Sequence, residues 1–114
     1  MHLKNFSLLK DKNHDYSLCP AYDLLASELL IEGDDEELAL NLNGRKRKIK
    51  RRDFLMAMRA SGIEEKSILN VFKKFEKAIP HWHETIDNSF LPDELKLKYH
   101  EMVEIKMNQV EIYL

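Results

Sequence analysis

With 114 residues and a formal net charge of −2, the chain is the size of one domain and has no global field that would draw it to nucleic acid or an acidic membrane surface. Hydrophobic residues make up 44% and charged residues 33%, an ordinary soluble composition with room for one modest core. Cys19 is the single cysteine, so no internal disulfide forms; no apolar run approaches the roughly 20 residues of a spanning helix, and no basic-then-apolar leader opens the chain, so a reducing cytoplasm is the expected setting and a membrane is not.

In chain order, residues 5–9 (NFSLL) read as a strand, 10–15 (KDKNHD) as a polar turn and 16–19 (YSLC) as a second short strand ended by Pro20. An antiparallel hairpin turning near residues 13–14 follows from this. The segment YDLLASELLIEG reads as a short helix or an irregular apolar stretch, and the acidic run 32–37 comes after it. LALNL then alternates, with Leu38, Leu40 and Leu42 on one face, and Asn43-Gly44 is a strong turn signal because both positions favour positive φ. RKRKIK would be the return strand of a second hairpin, a basic and solvated edge.

From residue 51 the pattern turns helical. RRDFLMAMRASG carries Phe54, Leu55 and Met58, with Gly62 as the stop signal. Ile68, Phe72, Phe75 and Ile79 recur at helical spacing, and Pro80 would begin or kink the next turn. HWHETIDNSF reads as a connector or further helix. A last helix over 92–113 carries Leu95, Tyr99, Met102, Lys106 and Gln109 on one side. The expected architecture is α+β in a single domain, 1–114: hairpins over 1–50, then a helical bundle over 51–114.

The chemistry-bearing residues cluster at the open end of the first hairpin. With the turn near 13–14, Asn5 and Asp23 face each other, and facing residues in an antiparallel pair hold their Cβ atoms about 4.5–5.5 Å apart. An amide oxygen and a carboxylate at that separation can share one hard cation such as Mg²⁺. His2 and Lys4 stand on the same rim and could hold phosphate, which makes half of a phosphoryl-transfer site. The alternative is that Asn5 and Asp23 are ordinary turn or cap residues.

HLKNFSLL, followed by Y-x-L-x-P-A-Y-D-L-L, resembles the HipA family of serine/threonine kinases, the toxins of bacterial toxin–antitoxin modules. The family's catalytic loop reads Asp-x-His-x-Lys-Asn before an apolar strand, and a second segment resembles Pro-x-Tyr-Asp. The first motif maps onto His2, Lys4 and Asn5, the second onto Pro20, Tyr22 and Asp23. LALNLNG, the helix from Asp53 and the FLP before the last helix extend the resemblance over nearly the whole chain. It implies catalytic-loop roles for His2 and Lys4, Mg²⁺ ligation by Asn5 and Asp23, and a cofactor-binding role for Tyr22. ATP and Mg²⁺ are the implied cofactors. A protein substrate, a DNA-binding antitoxin and an N-terminal kinase half are the implied partners. The motif's aspartate would precede Met1, so the expectation is a truncated kinase lobe, catalytically incompetent by itself.

A different class of function is an interaction module, in which apolar surface around Phe6, Leu8 and Tyr22 captures a partner or a second copy. The basic run 44–52 is read as a solvated edge balanced by the acidic 32–37 stretch rather than as a nucleic-acid surface. His81 and His83, two apart, make a poor chelate on a helix. Cys19, between Leu18 and Pro20, is expected to be a buried structural thiol.

Overall fold

The computed structural model describes residues 3–22 and 24–113. Strands β1 (Leu8–Lys10) and β2 (Tyr16–Leu18) form an antiparallel ribbon. Helices α1 (Arg51–Ala60), α2 (Glu65–Asp87) and α3 (Asp93–Gln109) follow, joined to the ribbon by a long irregular segment. The layout is α+β, hairpin first and helices after, as the sequence predicts.

Asp11 sets the ribbon's turn. Its Oδ1 accepts the N–H of Asn13 at 2.8 Å and of Asp15 at 2.9 Å, and His14 takes the left-handed conformation at φ 67°. This side-chain turn closes the loop early. Leu8 therefore faces Leu18, Leu9 faces Ser17 and Lys10 faces Tyr16, one to two residues short of the expected register. The Cys19 N–H donates to Ser7 and carries the ladder one step further. All six strand residues are exposed, so the ribbon lies on nothing, and Cys19 is half-buried rather than buried.

The second hairpin is not a hairpin of strands. Asn43 (φ 50°) and Gly44 (φ 74°) make the expected turn, but only one bridge, Leu42 with Arg45, closes beside it. The backbone groups a return strand would pair go elsewhere. The Lys46 carbonyl accepts the N–H groups of Glu37 and Leu38, and the Glu37 carboxylate accepts those of Lys48 and Ile49. Lys48, at φ 52°, turns the chain out of any strand. The apolar stretch before it holds a single 3₁₀ turn, Ser27–Leu29.

Helix α1 starts where Asp53, at its third position, accepts the Lys50 N–H at 2.8 Å. It ends at Gly62, whose φ of 76° lets the Ile63 N–H return to the Met58 carbonyl. Helix α2 runs unbroken through Pro80 and takes in HWHE, which is helix rather than connector. Its buried stripe is Ile68, Phe72, Ile79 and Ile86. The last three repeat every seven residues, the period of a helix seam. Phe75 falls off that seam and is 43% exposed, its ring set edge-on to Trp82 at 5.7 Å. Val103 of α3 and Ile112 complete the core, flanked by Phe54, Leu55 and Met58 of α1.

Helix α3 stops at Gln109, four residues before the expected end. Glu111 turns left-handed (φ 57°), and the Ile112 N–H donates to the Met107 carbonyl, so Ile112 folds back into the core. Arg51 fixes this turn. Its guanidinium donates to the carbonyls of Val110 and Glu111 and stands 4.0 Å over the Phe72 ring.

Candidate functional site

The base of the ribbon brings the two motifs together. Lys4 and Asn5 lie on a 3₁₀ turn, Leu3–Asn5, that leads into β1, and Tyr22 follows β2. The Tyr22 hydroxyl donates to the Lys4 carbonyl at 2.8 Å, a bond between residues 18 apart in sequence. This tie is long-range, and it crosses from one motif to the other. Asn5 is 6% exposed and, among the described residues, is one of two buried polar side chains, with Asp53. A buried amide is costly without partners, so Asn5 is held in place by its surroundings rather than displayed to solvent. Lys4 is exposed on the rim, and Tyr22 keeps 42% of its surface accessible while its hydroxyl is engaged by backbone.

His2 and Asp23 lie outside the described residues. The expected facing of Asn5 and Asp23 therefore has one described member, Asn5, and the Tyr22–Lys4 bond stands beside it. For an Mg²⁺–nucleotide group, the described residues offer a buried amide, Asn5, and, one position before it, an exposed ammonium, Lys4. Those are a hard-cation donor and a phosphate partner.

Asp53 carries a site-like environment that the sequence does not signal. Asp53 is fully buried at the start of α1. Its Oδ1 accepts from Asn43 Nδ2 at 2.8 Å, its Oδ2 accepts the Lys50 N–H, and Arg45 Nε stands 4.0 Å away. The Asn43 hydrogen bond, then the Lys50 N–H, then the positive charges of Arg45 and Arg52 hold its carboxyl below the usual range, against the opposing effect of burial. The Asn-Gly turn and the aspartate ten residues on both stand in the sequence, but nothing local links them.

Glu37 forms a parallel knot. Besides the Lys48 and Ile49 N–H groups, its carboxylate takes Gln109 Nε2 at 2.8 and 3.0 Å, and Gln109 also donates to the Ile49 carbonyl. The basic run forms no strand edge, yet its side chains stay largely exposed and are met by acids and carbonyls. Arg45 meets Asp53, Arg47 meets Asp35 at 2.9 Å, and Arg51 meets the end of α3. Lys106 and Gln109, placed on the same side of the last helix as Leu95, Tyr99 and Met102, serve this polar knot, with Lys106 3.7 Å from Glu37 and 3.1 Å from Glu28.

The HWHE histidines part company on the continuous helix. His81 is exposed and pairs with Glu84 at 3.7 Å, whereas His83 turns to α3 and meets His100. Among the described residues no group of three or more His, Cys, Asp and Glu side chains could hold a metal ion. No helix is long and apolar enough to cross a membrane.

A family model, described as HipA-like C-terminal domain, matches residues 1–82. No curated protein matches the chain. The match takes in both motifs, the Asn43–Asp53 lock and α1, and it stops inside α2 one residue before His83.

Proposed function

Since the chain belongs to the HipA-like C-terminal domain family, we propose that it is the C-terminal-lobe portion of a HipA-like serine/threonine protein kinase, carrying remnants of an ATP and Mg²⁺ site. The observation that carries this reading is the Tyr22–Lys4 hydrogen bond beside buried Asn5. It keeps the loop motif and the second motif in register at one rim, the arrangement in which both would address the same nucleotide. In this reading Asn5 and Asp23 hold the cation, and His2 and Lys4 belong to the catalytic loop, with Lys4 facing phosphate. Tyr22 braces the loop backbone from the cofactor side. When bound, the Mg²⁺–ATP complex supplies the transferable phosphoryl group. A toxin role, an antitoxin partner and a protein substrate belong to the same proposal, as does a cytoplasmic setting.

Phosphoryl transfer depends almost wholly on positioning and electrostatic stabilisation. The described rim offers one buried amide and one exposed ammonium, too few groups to position and stabilise a transferring phosphoryl group. The chain by itself is therefore expected to transfer no phosphate from ATP. Incubation with radiolabelled ATP, Mg²⁺ and a generic protein acceptor should leave the acceptor unlabelled. Labelling that disappears in Asp23→Ala would overturn the inactive reading and leave the kinase reading standing.

A second reading rests on surface area. The chain exposes 9073 Å², against about 6500 Å² for a compact monomer of its mass. Exposed apolar residues of the ribbon and the segment after it include Leu8, Leu18, Tyr16, Leu24 and Leu25, each at least 58% exposed. Such a surface suits the N-terminal half of a kinase, or a second copy of the chain.

A further inference from the structure

Beyond the family match, the seam between α2 and α3 holds three titratable groups in a chain. His83 Nδ1 lies 2.6 Å from His100 Nδ1, and His100 Nε2 lies 2.8 Å from Asp87 Oδ1. The two ring centroids are 4.8 Å apart and the ring planes 19° from parallel. The nitrogen gap and the two ring radii account for nearly all of that separation, so the rings meet nose to nose in almost one plane. A carboxylate only accepts, so His100 donates through Nε2. Neutral His100 then has a bare Nδ1, and the bridging proton belongs to His83. His83 Nε2 is buried with no partner. A metal ion does not fit in line between nitrogens 2.6 Å apart, because each N–metal bond needs about 2.0–2.1 Å. One proton does fit.

We propose that His83 and His100 form a proton-counted latch that holds α3 against α2 while one proton lies between the rings and releases it when both rings are protonated. A single extra proton keeps the bridge, because an imidazolium still donates to an imidazole, but it falls on His83 Nε2 and makes a buried donor with no acceptor. The second places N–H against N–H and sets two cations in contact. Asp87, with its carboxylate 66% exposed, offsets one of these charges at most.

The other charges around the pair do not replace it. Lys96 of α3 donates to the Asp87 carbonyl and adds positive charge. Glu104 of α3 lies one turn beyond His100, beside Ile79. On α2, His81 and Glu84 are exposed and satisfy each other. From the 3₁₀ turn that packs on α3, Glu28 is taken by Lys106. Where α1 meets α2, Arg59 is taken by Glu65. The neighbours of the pair, Trp82 and Tyr99, line an apolar cavity of about 510 Å³ with Ile86 and Val103, so release of the latch is felt there.

The open form binds at least one more proton than the closed form, so acid favours opening, at about tenfold or more per pH unit. Long-range ¹⁵N–¹H NMR of the histidine rings at pH 8 should find the proton of His83 on Nδ1 and that of His100 on Nε2. Both rings protonated on Nε2 alone would overturn the latch. Amide exchange along α3 should then accelerate about tenfold or more per unit as pH is lowered from 8 towards 5, after correction for intrinsic exchange. Emission of Trp82, the single tryptophan, should move over the same interval. Both responses should vanish in His83→Gln and in His100→Gln and persist in His81→Gln. A flat response in the unaltered chain, or one that survives both latch substitutions, would also overturn it.

Discussion

Asp53 shows how one residue ties a turn, a basic run and a helix start together. Its carboxylate is buried and anionic because Asn43, the Lys50 N–H and nearby arginines favour the charged form. The folded state therefore holds its carboxyl below the ordinary value, and the unfolded state takes up the proton first as pH falls. Stabilisation from Asp53 is complete above the usual carboxylate range near about pH 4 and is lost as pH drops through the lowered value. Thermal melts between pH 7 and pH 2 should show this acid-side loss. Asp53→Asn should melt several degrees lower at pH 7 and show a shallower acid limb. The environment of Asp53 escaped notice in the sequence because its partners depend on tertiary placement, whereas Asn43-Gly44 announced itself through local backbone preference alone.

Among the elements, α2 carries the core. Ile68, Ile79 and Ile86 lie on its buried stripe, and Ile68 is fully buried. Ile68→Ala should cost about 2–5 kcal/mol, the range for truncating a buried aliphatic side chain, read as a lower denaturant midpoint with an unchanged slope. The helical spacing from Ile68 onward and the Gly62 stop were legible in the sequence. The passage through Pro80 was not. Proline lacks an N–H and costs a helix interior roughly 3 kcal/mol, yet burial of Ile79 and Ile86 on either side holds the helix together. The end of α3 was misjudged for a similar reason. Ile112 gains more by folding back onto the core than the last turn would gain by continuing.

At the scale of the whole molecule, the chain is open. Its radius of gyration is 16.2 Å, against about 13 Å for a compact domain of this length. A two-stranded ribbon is marginal unless another element packs on it, and here both faces are exposed. Leu8→Ser with Leu18→Ser should therefore shift stability by no more than about 0.5 kcal/mol, in contrast to the core substitution. The same double variant should reduce any self-association of the unaltered chain in sedimentation velocity at high concentration. A large fall in melting temperature would mean that the ribbon packs on the helices after all.

Everything set by neighbours in sequence could be read before folding: the polar turn after the first strand, the Asn-Gly turn, the amphipathic stripe of α2, the Gly62 stop, and the two motifs that carry the family resemblance. These rest on backbone preference and periodicity, which act over a few residues. Only the tertiary structure decided that the basic run is knotted by Glu37 and Asp53 instead of paired as a strand, that Tyr22 braces the Lys4 backbone, and that His83 finds His100. Each of these joins groups 10 to 72 positions apart, where a buried charge or amide must find whichever partner the packed helices bring within hydrogen-bond reach.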